Sequence, residues 1–251
     1  SVVASPMLHA IGLTNCRNSL FERLYEQFRH REDIVAMLDH QGRMHPVIAD
    51  FVSRLFYENR LLPVGLPHQN ETLSLLFAKY DENDPTELLV ATRRCAFVHV
   101  PSPSFEDYMP KANVLEAQMI AQIVKKVCSV HQKNGMSFDP SKQLGIIVPY
   151  RRQIATVRTE VAKLMGSSGM CDSSQLLIDT VERYQGSQRD IIIYGTTITQ
   201  YYELDTLSEL VMIGDTLVDR KLNVAVTRAR KQFIVLGNEQ LLSRNVLYSQ
   251  L

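Results

Sequence analysis

Two hydrophobic periods alternate along the chain. SLFERLYEQFRH (residues 19–30) sets Leu20, Phe21, Leu24, Tyr25 and Phe28 at helical spacing. The apolar run IVAMLDH (34–40) predicts a buried strand, and HPVIADFVSRLFY (45–57) predicts an amphipathic helix with Pro46 in its first turn. Residues 62–94 hold three prolines with Asn and Asp clusters and no clear period, which reads as a long surface excursion. CAFVHV (95–100) predicts a strand. Asn113, three residues before Glu116, predicts a capping-box start to a helix reaching about Val130. LGIIVP (144–149) is a further strand, followed by a helix over 152–165. Beyond the Gly/Ser-rich break GSSGMCDSS lie the strands LLIDTV (176–181) and DIIIYGTTI (190–198). An acidic loop, a short helix carrying Arg228 and the strand QFIVLG (232–237) complete the series. Short, β-branched, nearly all-apolar strands separated by helices predict an α/β fold, a mainly parallel sheet with helices on both faces.

Composition changes this picture little. A chain of 251 residues, 45% hydrophobic and 22% charged, suits a soluble globular protein of one large or two small domains. It has no run of eighteen apolar residues, and the opening SVVASPMLHAIG lacks the basic start of a signal peptide, so no membrane partner is expected. Formal net charge is zero, so any nucleic-acid binding must come from a local groove. Cys16, Cys95, Cys128 and Cys171 are scattered without a CxxC pair. That argues against a zinc site or a disulfide framework and suggests a reducing, cytoplasmic location.

Four stretches carry the candidate chemistry. QGRMHP (Gln41–Pro46) sits between a predicted strand and helix; the Gln41 amide can donate to a phosphate oxygen, and Arg43 braces the loop or an interdomain face. IIVPYRRQ (Ile146–Gln153) puts Tyr150 and the Arg151/Arg152 pair at the carboxyl end of a strand, the edge where α/β sheets bind ligands. In DTVERYQGSQRD (Asp179–Asp190), Thr180 ends a strand with its hydroxyl and backbone N–H free for a nucleic-acid phosphate. Gln185 and Gly186 there form a turn that lets the backbone approach a ligand. KLNVAVTRAR (Lys221–Arg230) presents Arg228 as a fixed guanidinium of the kind that neutralises a transferring phosphoryl group. Arg230 is expected to pair with an acid or to support the loop, and Asn223 and Thr227 to tie the helix to the sheet.

In this order the four stretches resemble superfamily 1 helicases, in the 1B branch related to the nonsense-mediated-decay helicases. QGRMHP is similar to the QYRMHP signature of that branch, with Gly42 in the usual tyrosine position. IIVPYRRQ resembles motif IV, DTVERYQGSQRD motifs V and Va, and LNVAVTRAR motif VI. The resemblance covers nearly the whole chain. It implies a RecA-like fold, with 1–30 a connector from a first RecA-like domain and 31–251 the C-terminal RecA-like domain. No GxxxxGK[ST] occurs, and no strand ending in paired acids precedes the motifs. The chain therefore resembles the second domain of a P-loop NTPase, lacking the P-loop itself, and is not expected to hydrolyse ATP alone.

The resemblance also implies roles. Arg228 and Arg151 would be the catalytic arginines at the γ-phosphate, with Arg152 a rival to Arg151. Gln41, Tyr150, Gly186 and Gln188 would bind the nucleotide, Tyr150 by stacking on adenine, and Thr180 would hold single-stranded DNA or RNA. Gln188 stands where the family usually has a glutamate. ATP and Mg2+ are implied, with the metal's ligands on the first domain, and movement is 5′ to 3′. Two alternatives remain: a non-catalytic nucleic-acid binding module, or an interaction scaffold using the 62–94 and 201–216 segments.

Overall fold

The computed structural model describes residue 7 and residues 20–166, 176–184, 186–213 and 216–251. Its longer helices are α1 (Leu20–Phe28), α2 (Pro46–Phe56), α3 (Pro85–Thr92), α4 (Val114–Lys133), α5 (Arg151–Met165) and α6 (Arg220–Val226). The strands are β1 (His40–Gln41), β2 (Leu62–Pro63), β3 (Cys95–His99), β4 (Leu144–Ile147), β5 (Leu177–Asp179), β6 (Arg189–Gly195), β7 (Leu210–Ile213), β8 (Thr216–Asp219) and β9 (Ala229–Gly237). Five of them form one sheet in the order β3-β9-β6-β4-β5, with every neighbouring pair parallel. β1 and β2 make a two-residue parallel ladder, and β7 and β8 an antiparallel hairpin.

The period of two along β6 explains the layers. Ile191 and Ile193 face one core with Ile120, Val124 and Val127 of α4 and Val157 and Val161 of α5. Ile192 and Tyr194 face the other, with Ile48 and Val52 of α2 and Leu222, Ala225 and Val226 of α6. Burying each isoleucine is worth about 1.5–3 kcal/mol, so the sheet is held from both faces as the apolar strands predicted. This is the architecture of a RecA-like domain.

Three expectations are corrected. The 34–40 run forms no buried strand: Ile34 and Leu38 are exposed, Leu38 at 87%, and only His40–Gln41 pairs. Its apolar positions have no strand beside them, because the main sheet uses five others. The 62–94 excursion contains α3, started by Asp84, whose side chain accepts from the N–H groups of Thr86 and Glu87, with Pro85 in the first turn. Val90, Ala91 and Glu87 of this helix are buried, and Glu87 is clasped by Lys126 at 3.2 Å and Lys133 at 2.5 Å. Finally, α6 stops at Val226, so Arg228 lies in the turn before β9 and not on the helix. The expected break after Gly166 falls outside the described residues.

Cys95 is a free thiol. Among the described residues no helix is long and apolar enough to cross a membrane.

Candidate functional site

An all-parallel sheet has two chemically distinct edges. β6 and β9 begin at the amino edge, where the chain enters from Gln188 and Arg228; β4 and β5 end at the carboxyl edge, where it leaves toward Tyr150 and Thr180.

At the amino edge Arg43 Nε donates to Gln188 Oε1 at 3.0 Å and Arg43 Nη1 to the Thr227 carbonyl at 3.0 Å. This contact spans QGRMHP, the start of β6 and the turn after α6. Arg228 stands beside it. Its Nε is buried without a hydrogen-bond partner, and burial, reinforced by the Arg43 charge, lowers its pKa from the usual value. Arg189 Nε and Asn223 Oδ1 are likewise buried and unpartnered, and the Arg228 carbonyl accepts from Arg189 N at 3.0 Å. The neighbouring cations differ. Arg230 is paired to Asp190 at 2.9 Å, as an arginine expected to find an acid should be, and Lys231 is paired to Glu71 at 3.0 Å. Two guanidiniums side by side without a carboxylate between them make a site for an anion with several oxygens, such as a phosphate chain.

Several side chains fix this geometry. Thr227 Oγ1 donates to the Asn223 and Val224 carbonyls and closes α6. Gly186 has φ +85°, a left-handed conformation that glycine adopts without strain, two residues before Gln188; Gln185 lies outside the described residues. Gln41 shapes the QGRMHP loop. Its Oε1 accepts from the N–H groups of Arg43 at 3.0 Å and Met44 at 2.7 Å, while Nε2 donates to the Met44 carbonyl at 2.8 Å. One N–H of the amide expected to reach a phosphate thus serves its own loop, because residues 41–44 turn back on it. Gly42 has no left-handed backbone, and a Cβ there would meet Leu66 Cδ1 at 3.2 Å.

The sequence reading missed the buttress beneath that loop. Buried Gln69 Nε2 donates to the Gln41 and Met44 carbonyls, each at 3.0 Å, and His68 Nε2 meets the Arg43 carbonyl at 2.8 Å. Both residues come from the 62–94 excursion, whose polar HQN run carries no periodic signal of burial.

At the carboxyl edge, Tyr150 precedes α5 half-buried, and burial raises its hydroxyl pKa. Arg151 is exposed, with no hydrogen-bond or ion-pair partner among the described residues, whereas Arg152 Nη1 donates to the Pro110 carbonyl at 3.3 Å. The Thr180 N–H, expected to be free, donates to Asp179 Oδ1 at 2.8 Å, because the Asp179 side chain folds over the strand end. Gln153, the last residue of IIVPYRRQ, is fully buried. Its Oε1 accepts from Asn113 N at 2.8 Å, and its Nε2 donates to Glu116 Oε1 at 3.1 Å. The capping box is therefore half as expected. Asn113 caps Glu116 N at 3.1 Å, but Glu116 turns inward to accept from Thr197 N at 2.8 Å and Thr197 Oγ1 at 2.9 Å. Burial pushes the Glu116 carboxyl up to about 7.

Ile147 is level with Tyr194 and hence with Val235, six residues beyond Ala229. At about 3.3 Å per residue, the ends of the two strands, Ile147 and Ala229, are offset by roughly 20 Å along the strand direction. Arg43 and Gln188 are the residues the fold brings to the Arg228 turn.

The chain matches the AAA domain family over residues 16–240. It is 30% identical over 233 residues to "Regulator of nonsense transcripts 1" of Dictyostelium discoideum, covering 93% of this chain and 15% of that protein. To "DNA polymerase alpha-associated DNA helicase A" of Saccharomyces cerevisiae (strain ATCC 204508 / S288c) it is 27% identical over 240 residues, 92% of this chain and 31% of the relative. "Helicase SEN1" of the same yeast is 28% identical over 215 residues, 86% of this chain and 9% of the relative. The chain spans less than a third of each of these relatives. With four helicase motifs on one RecA-like sheet and a family match over most of its length, the chain belongs to the AAA domain family as a superfamily 1 helicase domain.

Proposed function

We propose that this chain is the second RecA-like motor domain of a longer ATP-dependent helicase, with the nucleotide at the amino edge and a single strand of DNA or RNA along the carboxyl edge. The observation that carries the reading is the adjacent Arg43 and Arg228, uncompensated by a carboxylate, with Arg228 Nε buried and unpartnered. A γ-phosphate between them would supply the missing acceptor and relieve their repulsion. Charge developing on the transferring phosphoryl group would be neutralised by fixed guanidiniums that need no reorganisation. Gln188 and the Gly186 turn would line the same pocket. The cleft to the first domain would favour closure while the γ-phosphate is present and open after hydrolysis.

At the other edge the Thr180 hydroxyl and the free Arg151 are suited to strand phosphates, with Tyr150 beside them. Such contacts would depend on salt and little on sequence. Mg2+ does not fit this domain's residues: the nucleotide cluster is cationic, and among the described residues no group of three His, Cys, Asp or Glu side chains could hold a metal. Its ligands are proposed to lie on the first domain with the P-loop, so the isolated chain would not turn over ATP.

The test is strand-stimulated ATP hydrolysis by the parent protein, as wild type, Arg228→Ala and Arg151→Ala. Loss of Arg228 should slow turnover by roughly 10³–10⁵ with the fold intact. Arg151→Ala should weaken strand binding and leave turnover at saturating strand nearly unchanged. Normal hydrolysis by the Arg228 variant would end the nucleotide assignment. No turnover in wild type would favour a binding module.

A further inference from the structure

Exposed aromatic residues lie on the loops that leave the carboxyl edge. Tyr202 is 66% exposed and Phe105 98% exposed, from segments almost a hundred residues apart. The Tyr202 and Tyr108 hydroxyls meet at 3.0 Å, and Tyr150 is near enough to couple electrostatically with both rings' hydroxyls. Hydrogen bonds fix the backbone beneath Tyr202. Ser102 Oγ donates to the Thr199 carbonyl at 3.2 Å, and Glu203 Oε2 accepts from Thr199 N at 2.8 Å and Gln200 N at 3.0 Å, fixing the turn that presents Tyr202. Arg152 ties the Tyr108 loop to α5 through the Pro110 carbonyl. In the neighbouring segments of the same edge, Arg151 and Lys111 are exposed and unpaired among the described residues. Exposed aromatic faces on the same sheet edge as free cations match a strand's alternation of bases and phosphates.

We propose that this rim is a base-stacking platform for single-stranded nucleic acid, in which Tyr202, supported by Tyr108, receives a base while Arg151 and Lys111 neutralise flanking phosphates. The inference rests on the reading of the carboxyl edge as the strand's path and deepens it: the grip includes bases as well as backbone. Ring faces do not discriminate among bases, so binding stays tolerant of sequence but gains a component that salt does not screen.

The experiment compares two 12-nucleotide probes of equal charge, oligothymidine and its abasic counterpart, binding the 251-residue chain by fluorescence anisotropy. Wild type, Tyr202→Ala and Tyr202→Phe are each checked for fold by circular dichroism. The chain has no tryptophan, so stacking is read independently as quenching of tyrosine emission. The expected result is that wild type prefers the base-bearing strand about tenfold or more. Tyr202→Ala removes the preference and Tyr202→Phe keeps it. Equal affinity for both probes in wild type, or a preference surviving Tyr202→Ala, overturns the platform while leaving the strand path standing. Failure to bind either probe overturns the strand path as well, and makes the rim a candidate protein-docking face.

Discussion

Gly145, the second residue of β4, is where a single methyl group should do most damage. An alanine Cβ there would meet Tyr184 Oη at 1.9 Å, Tyr184 Cζ at 2.8 Å and Ile192 Cδ1 at 3.0 Å. Ordinary contact begins near 3.4 Å, so the hydroxyl must retreat by about 1.5 Å inside a fully buried site. Overpacking of this kind costs about 1–3 kcal/mol, and two buried partners put it at the upper end. For a chain of this length that corresponds to a fall in Tm of roughly 5–10 °C. The Tyr184 hydroxyl is also buried without a partner, so Tyr184→Phe alone is expected to be neutral or stabilising. Combined with Gly145→Ala it should recover part of the loss, since the worst contact goes while Tyr184 Cζ at 2.8 Å and Ile192 Cδ1 at 3.0 Å remain tight. Thermal denaturation of wild type, both single variants and the double variant closes the cycle, with an expected coupling of about 1–3 kcal/mol. Additive effects, or a Gly145→Ala protein melting within a degree of wild type, would refute the steric account. Because Tyr184 leads into the Gly186 turn and Gln188, the alanine should also disturb Arg43.

Other outcomes follow from the same geometry. Glu116, raised from 4.5 to about 7 in the fold, holds its proton more tightly there than in the unfolded chain. Its contribution is greatest below pH 4.5 and is lost as pH rises toward 7, by about 3 kcal/mol; urea midpoints across that range should fall in wild type and flatten in Glu116→Gln, and parallel profiles would exclude Glu116 as the source. Gln69→Leu removes four hydrogen bonds, to Gly65 N, Leu66 N and the Gln41 and Met44 carbonyls. A loss of about 2–4 kcal/mol is expected by chemical denaturation, with a higher KM for ATP in the parent. For Glu87, burial alone would raise the carboxyl pKa, but Lys133, the Asp81 N–H and Lys126 outweigh it and the net shift is downward. Its stabilisation is therefore present above pH 4.5 and lost on acidification below it; Glu87→Gln should have a shallower acid limb in the unfolding profile than wild type.

The helices and sheet were legible because periods of two and near four mark buried faces, as in β6, α2, α4 and α5. The α3 helix was written in Asp84, Pro85 and Glu87, but the surrounding prolines obscured it. The 34–40 strand failed for a different reason: an apolar run specifies burial without saying against what. The site followed the same division. The motifs marked Arg228, Gln188 and Gly186 as residues of interest. That Arg43 is their partner, and that Arg151 and Tyr150 belong to the opposite edge, follows only from strand direction and register. Gln69 and His68 could not be found, since a buried polar pair that serves another loop's carbonyls leaves no pattern in its own neighbourhood.

The strand order carries a kinetic consequence. β9, last of the five in sequence, lies between β3 and β6, so β3 has no ladder partner in the sheet and β6 has only β4 until β9 arrives. Such long-range parallel pairing makes closure slow and non-local. During synthesis on the ribosome, β3 to β6 must wait with open, aggregation-prone edges until residues 229–237 have left the exit tunnel, and the sheet then joins in a late, concerted step.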